Sequence, residues 1–233
     1  MAPGVLWWDF DGTLVSRPGM WAEVALRLLD SCVADHGTPA EKMRPLVFAG
    51  MPWHRIGNAH PELTSPDLWW AAVYRRYVEV FSELGYPSAA SPSALAALRA
   101  DILDASAYVV FDDVLPALTR AHANGWRSLI VSNHVPELET LVCDLGLAAF
   151  FESVVSSGVV GFEKPHARLF EEALRHTGSA RPIWMLGDNP DCDCSPVCAI
   201  GHQAVLVRSP VAGAFERQAV DLNAALDLIE GAV

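Results

Sequence analysis

The sequence is short of positive charge, and of lysine above all. Its 233 residues hold 16 Lys and Arg against 28 Asp and Glu, a net charge of −12, and Lys42 and Lys164 are the only lysines. So acidic a chain, with pI near 5.0, is ill suited to nucleic acid, because phosphate backbones demand a basic surface. A small anionic substrate is not excluded, since a cation and local N–H groups reverse the field inside a cleft. Long apolar runs are missing too. No stretch reaches the ~20 residues a membrane span needs, and no basic segment or cleavage site precedes the first apolar run. The expectation is a cytoplasmic protein with no membrane partner. Cysteine is scarce: five residues, an odd number with no paired framework, suit a reducing compartment. Only 19% of residues are charged and 52% are hydrophobic, the balance of a folded globule. Internal repeats and low-complexity tracts are absent. The length allows one domain, or a domain with a small insert.

Among what is present, the first segment says most. Val5-Leu6-Trp7-Trp8 runs straight into Asp9-Phe10-Asp11-Gly12-Thr13-Leu14. An apolar run ending abruptly in carboxylates reads as a buried strand that delivers Asp9 and Asp11 to its carboxyl edge. Two residues apart in extended chain, they share a face. Neighbouring carboxylates do not ionise independently: one stays an anion, the other's pKa rises, and a cation between them is welcome. Three further signals follow. Ser128-Leu129-Ile130-Val131 ends in Ser132-Asn133. Gly161-Phe162-Glu163-Lys164-Pro165 places a lysine just before a proline that can open a helix. Ile183-Trp184-Met185-Leu186 ends in Gly187-Asp188-Asn189-Pro190-Asp191-Cys192-Asp193. Each polar group sits at or just past a strand's carboxyl end, where open α/β sheets bind ligands.

In this order and spacing, the four segments resemble the motifs of the haloacid dehalogenase superfamily, in its phosphatase branch. Asp9-Phe10-Asp11-Gly12-Thr13 is similar to its first motif, Ser132-Asn133 to its second, Lys164-Pro165 to its third, and Gly187-Asp188 through Asp193 to its fourth. The resemblance spans nearly the whole chain. It implies an α/β fold: a Rossmann-like, doubly wound parallel sheet with an all-helical cap inserted after the first motif.

The organisation read from the sequence agrees with that expectation. Trp21–His36 has helical apolar spacing and meets Gly37, a suitable C-terminal cap. Pro66–Leu84 follows Ser65 as N-cap, and Ser91-Pro92 opens a helix to about Leu103. Residues from about Met20 to Ser106 contain no convincing strand, which places a cap at 16–106 and a catalytic core at 1–15 and 107–233. From Asp112 onward helix and strand alternate: Asp113–Asn124, Ser128–Val131, Pro136–Leu145, Ser153–Val155, His166–His176, Ile183–Leu186, Ala204–Val207. That is the pattern of a parallel sheet with helices on both faces.

The chemistry expected is hydrolysis of a small phosphorylated metabolite. Asp9 would attack phosphorus to give an aspartyl-phosphate, and Asp11 would protonate the leaving oxygen and then deprotonate water. Hard oxygen ligands beside a phosphate point to Mg²⁺, held by Asp9 and Asp188; by resemblance, Asp11 adds its backbone carbonyl and Asp193 a direct or water-mediated contact. Lys164 would balance the carboxylates, while Ser132, with Asn133 and neighbouring N–H groups, holds the phosphoryl oxygens. Asp11 argues against a carbon-attacking dehalogenase, which needs no second Asp, and against an imine role for Lys42. A phosphomutase keeps all four motifs and stays open. A non-catalytic binding protein on this fold is disfavoured because the nucleophile and the metal Asp are intact. Cys192, Cys194, Cys198 and His202 have a spacing that could hold Zn²⁺, against the plainer reading that Cys194 and Cys198 pack as small apolar residues. In the cap, Gly50-Met51-Pro52-Trp53-His54-Arg55 resembles the loop that faces the active site. Trp53, His54 and Arg55 are candidate contacts to the leaving group, whereas Trp69 and Trp70 read as core. Sugar phosphates, phosphoglycolate, nucleotides and biosynthetic intermediates all remain open as substrates.

Overall fold

Apolar runs bounded by polar residues become the centre of one parallel sheet. A computed structural model of the chain describes residues 3–49, 51 and 59–232. Its strands are β1 (Val5–Trp8), β2 (Val15–Ser16), β3 (Val109–Val110), β4 (Arg127–Ser132), β5 (Ser153–Ser156), β6 (Ile183–Gly187), β7 (Gln203–Val207) and β8 (Gln218–Ala219). Six of them pair in the order β5-β4-β1-β6-β7-β8, all parallel. β2 and β3 form a separate antiparallel pair where the helical segment leaves and rejoins the sheet.

The pleat sends alternate side chains of each strand to opposite faces. Leu6, Trp8, Ile130, Trp184 and Leu186 join one buried cluster, while Val5, Trp7, Leu129, Val131 and Met185 join another. Helices cover both faces, as an all-parallel sheet requires. α5 (Val114–Ala123), α6 (Leu138–Asp144) and α10 (Leu222–Glu230) pack on the first, and α8 (Ala167–Thr177) with α9 (Ser195–Ala199) on the second. A single turn, α7 (Ser157–Val160), follows β5. The two tryptophans of β1 keep their ring N–H groups bonded inside these layers: Trp7 donates to Thr177 Oγ1 at 2.8 Å, Trp8 to Ser128 Oγ at 3.1 Å.

Between β2 and β3 the described residues form α1 (Met20–Cys32), α2 (Ala40–Phe48), α3 (Pro66–Glu83) and α4 (Pro92–Ile102). They bury their own cluster, including Trp21, Leu29, Met43, Val73, Tyr77 and Phe81. Ser65 and Ser91 cap α3 and α4, accepting from Leu68 N at 3.4 Å and Ala94 N at 3.2 Å. One expectation changes. α1 stops at Cys32, with Val33 extended, so Gly37 lies beyond its end. Asp35 takes the left-handed conformation and His36 is drawn to Asp30 Oδ1 at 2.8 Å, a turn that competes with further helix. Among the described residues, no helix is long and apolar enough to cross a membrane.

Candidate active site

The carboxyl ends of β1, β4 and β6 bring three of the four motifs together. β1 stops at Trp8, and the Asp9 N–H bonds to Leu186 O at 2.9 Å, so Asp9 stands at the sheet edge, 6% exposed. Its Oδ1 accepts two hydrogen bonds, from Ser132 Oγ at 2.8 Å and Lys164 Nζ at 2.6 Å. Its Oδ2 accepts none among the described residues. Lys164, 3% exposed, also donates to Asp193 Oδ1 at 2.5 Å. The other Asp193 oxygen accepts the Asn189 N–H at 3.0 Å.

Ser132 and Asn133 were expected to hold phosphoryl oxygens. In this structure the Ser132 hydroxyl points its one proton at Asp9. Asn133 clasps the Lys164 backbone: its Oδ1 accepts Lys164 N–H at 2.6 Å and its Nδ2 donates to Lys164 O at 3.1 Å. The second motif thus fastens the third in place. Two glycines make room for the carboxylates. At Gly12, with φ of 80°, a Cβ would lie 2.2 Å from Asp188 Oδ2, and at Gly187 one would lie 2.3 Å from Asp193 Oδ2. No side chain fits either position.

The electrostatics follow from crowding. Burial, then Asp9 and Asp188, push Asp11 up to about 7. Burial, then Asp9, push Asp188 up to about 6. Burial also raises Asp193, against the pull of Lys164. Burial alone would lower Lys164, but Asp193 and Asp9 override it and hold the ammonium charged. Asp9, Asp11, Asp188 and Asp193 thus share one lysine, a negative excess that a divalent cation relieves. Oxygens of Asp9, Asp188 and Asp193 lie within 4.8 Å of one another. That hard oxygen set suits Mg²⁺ rather than a thiophilic metal. Asp11 offers no carboxylate to this group, which leaves its side chain available for proton transfer.

A cavity of about 380 Å³ opens above Asp11, between the sheet edge and the helical segment. Several of its residues carry no motif signal. His134 is buried, 3.5 Å through Nε2 from Asp11 Oδ2, edge-on to Phe10, and burial drives its pKa down to about 3, so the ring is neutral. Glu163, 1% exposed, meets His60 Nε2 at 3.1 Å and thereby ties the helical segment to the third motif. Arg17 donates to Ile102 O at 2.7 Å and to Asp101 Oδ1 at 2.6 Å. These contacts link residues 84 to 124 positions apart, and no local pattern in the sequence announces them.

The cap expectations divide. Trp53, His54 and Arg55 lie outside the described residues. Trp69 and Trp70 are both buried; Trp69 also borders the cavity, and Trp70 donates to Glu137 at 3.0 Å. Lys42 is exposed on α2 and does not line the cavity. The Cys192, Cys194, Cys198 and His202 set does not converge as ligands among the described residues. Cys194 is packed in the core, His202 lies edge-on to Trp7, and burial raises the Cys192 thiol to about 11.

Comparison with known proteins agrees with this geometry. The family model for haloacid dehalogenase-like hydrolases matches residues 5–196. A glyceraldehyde 3-phosphate phosphatase of Methanothermobacter thermautotrophicus is 37% identical over 117 residues, covering 48% of this chain and 50% of that protein. A phosphoserine phosphatase of Thermus thermophilus is 35% identical over 144 residues, 59% of this chain and 56% of that protein. The chain thus spans little more than half the length of these relatives. Among solved structures, the HAD-hydrolase YfnB from Bacillus subtilis, bound to magnesium, has a TM-score of 0.73 over 99% of this chain and 100% of that one, at 16% identity. An L-2-haloacid dehalogenase from Xanthobacter autotrophicus has a TM-score of 0.69 over 99% and 100%, also at 16%; at such identities the likeness is one of fold. With three motif segments at the carboxyl edge of a parallel sheet, Lys164 of the remaining one bonded to Asp9, and the family match across most of its length, the chain belongs to the haloacid dehalogenase-like hydrolase family.

Proposed function

We propose that the protein is a Mg²⁺-dependent phosphomonoester hydrolase that acts on a small phosphorylated metabolite through an aspartyl-phosphate. The observation that carries this reading is the asymmetry of Asp9: Oδ1 is held by Ser132 and Lys164, while Oδ2 accepts no hydrogen bond among the described residues. A carboxylate fixed by one oxygen presents the other for in-line attack on phosphorus. Asp11, raised to about 7, is protonated in a useful fraction near neutral pH. It gives its proton to the leaving alkoxide, then takes one from the water that opens the aspartyl-phosphate. Lys164 pairs with Asp9 and screens it from Asp193. Ser132 exchanges Asp9 for a phosphoryl oxygen as substrate enters. Mg²⁺, held by Asp9, Asp188, the Asp11 carbonyl and the Asp193 side, would neutralise phosphoryl charge and orient it toward Asp9.

Residues 16–106 act in this reading as a cap over a core of 1–15 and 107–233, closing the cavity and excluding water. The two phosphatase relatives support phosphoryl chemistry over attack on carbon. The test is turnover of para-nitrophenyl phosphate with Mg²⁺ by the wild-type protein and by Asp9→Asn. The amide keeps size and removes the nucleophile, so turnover should disappear while the melting temperature holds; a folded Asp9→Asn protein with substantial activity removes Asp9 from the role.

A further inference from the structure

The cavity above Asp11 has a wall whose chemistry the phosphoryl machinery does not use. On α2, Arg44 and Phe48 are four residues apart and face the same way. With Met20 and Trp21 of α1 and Trp69 of α3 they belong to the part of the lining contributed by the helical segment, while Asp11 and Glu163 belong to the part contributed by the sheet side. Trp21 and Trp69, 7% and 1% exposed, lie with ring centroids 6.1 Å apart in this wall. The other arginine of the cavity among the described residues, Arg17, is engaged by Asp101 and by the Ile102 carbonyl, with a side chain 5% exposed. Arg44 is exposed and has no acidic partner among the described residues. In a chain of net charge −12, an arginine without an acid beside a pocket is set to receive an anion from outside.

We infer that Arg44 is a specificity-determining residue that binds a second anionic group on the substrate's leaving portion. The substrate class is then a phosphomonoester whose leaving group joins an apolar body, resting on Met20, Trp21, Phe48 and Trp69, to a carboxylate or a second phosphate at Arg44. A cavity of about 380 Å³ lies at the small end of ligand pockets, which run from about 300 to 1,000 Å³, so the leaving group is of metabolite size and not a polymer. The guanidinium matches either anion by paired N–H donors. This inference rests on the phosphomonoesterase reading of the Asp9 site.

The experiment compares kcat/KM for para-carboxyphenyl phosphate, its neutral amide para-carbamoylphenyl phosphate, and para-phosphonophenyl phosphate. The acid and the amide share a shape, so their ratio reads the charge. The wild-type protein should prefer at least one anionic ester over the amide by about ten- to hundredfold, the worth of a charge-assisted hydrogen bond, and whichever it prefers identifies the anion. Arg44→Ala should bring the ratio close to unity, Arg44→Lys should keep part of it, and Arg44→Glu should invert it. Arg44 is exposed, so these variants should fold, as their melting temperatures will report. The same esters, added to the Asp9→Asn protein and read by ligand-induced thermal shift, report binding without turnover. A wild-type ratio near unity, or one unchanged in Arg44→Ala, overturns the inference. Loss of turnover on every ester, with the anion preference intact in the thermal shift, overturns the phosphomonoesterase reading and leaves Arg44 in its role.

Discussion

Lys164 is the one ammonium among Asp9, Asp11, Asp188 and Asp193, and deleting its charge tests how the site is balanced. Its Nζ lies 2.6 Å from Asp9 Oδ1 and 2.5 Å from Asp193 Oδ1, with the side chain 3% exposed. Lys164→Met keeps the apolar stem and removes the cation, leaving two buried carboxylates without a counter-ion. Breaking a buried pair from one side costs about 3–5 kcal/mol. For a chain of this size each kcal/mol shifts the melting temperature by roughly 2–4 °C, so a fall of about 10 °C is expected. The pH dependence has a definite sign. Asp193 is already raised by burial, and without Lys164 it rises further. A carboxyl raised above its unfolded value carries no penalty below that value, and the penalty grows as pH climbs toward the folded pKa. The variant's deficit should therefore be largest at about pH 8 and smaller at about pH 5.5, where protons substitute for the lysine. Calorimetry of both proteins in chelator measures it. A fall of under about 2 °C, or an equal fall at the two pH values, would refute the account of Lys164 as the counter-ion of this cluster.

Asp11→Asn should lower kcat/KM, which reads the step that expels the leaving group, by about 10²–10⁴-fold for alkyl phosphates and far less for activated aryl phosphates, because only the former need a proton on the leaving oxygen. In the wild-type protein, with Asp11 raised to about 7, alkyl phosphate turnover should decline as pH rises through that value; a matched loss on both substrate types in Asp11→Asn would count against the acid role. Excess chelator should stop turnover and Mg²⁺ restore it. Because Asp188 is raised to about 6, Mg²⁺ should raise the melting temperature more above that pH than below it, where it competes with protons. Gly12→Ala places a methyl group where Asp188 Oδ2 lies 2.2 Å away, so the Mg²⁺ concentration for half-maximal activity should rise by about tenfold or more; an unchanged requirement would separate Asp188 from the metal.

The sheet was legible because its strands are buried on both faces. Val5–Trp8, Leu129–Val131 and Ile183–Leu186 read as unbroken apolar runs, and a polar residue at the end of such a run has nowhere to go but the carboxyl edge. That is why the sequence alone puts Asp9, Ser132 and Gly187 at the sheet's carboxyl edge. Proline and serine marked α3 and α4 equally well, through caps the structure retains. Short elements escaped, since two-residue strands such as β2 and β3 have no period to read. α10 carries a usable cap signal in the sequence: Asp221 accepts from Ala224 N at 2.8 Å at the head of an amphipathic stretch. His134, Glu163 and Arg44 could not be assigned in that way. A buried histidine and an exposed arginine look ordinary in sequence, and what distinguishes them is the cavity assembled by distant segments.

The division of labour among the acids also needs three dimensions. Asp193 follows Asp188 by five residues, and proximity in sequence suggests two equivalent ligands. Their surroundings differ. Asp193 Oδ1 lies 2.5 Å from the Lys164 ammonium and its Oδ2 accepts the Asn189 N–H at 3.0 Å, so a cation that drew on Asp193 would compete with both. Asp188 is only half-buried, and among the described residues its carboxylate takes no side-chain hydrogen bond, like Asp9 Oδ2. A cation meets least competition at those oxygens. In the proposed reading Asp193 acts mainly by fixing Lys164, which in turn holds Asp9 Oδ1 and leaves Oδ2 without a hydrogen bond among the described residues. In the proposed mechanism the carboxylate that lies deepest anchors the lysine, Asp9 and Asp188 keep oxygens open to phosphorus and to the cation, and Asp11 moves the proton.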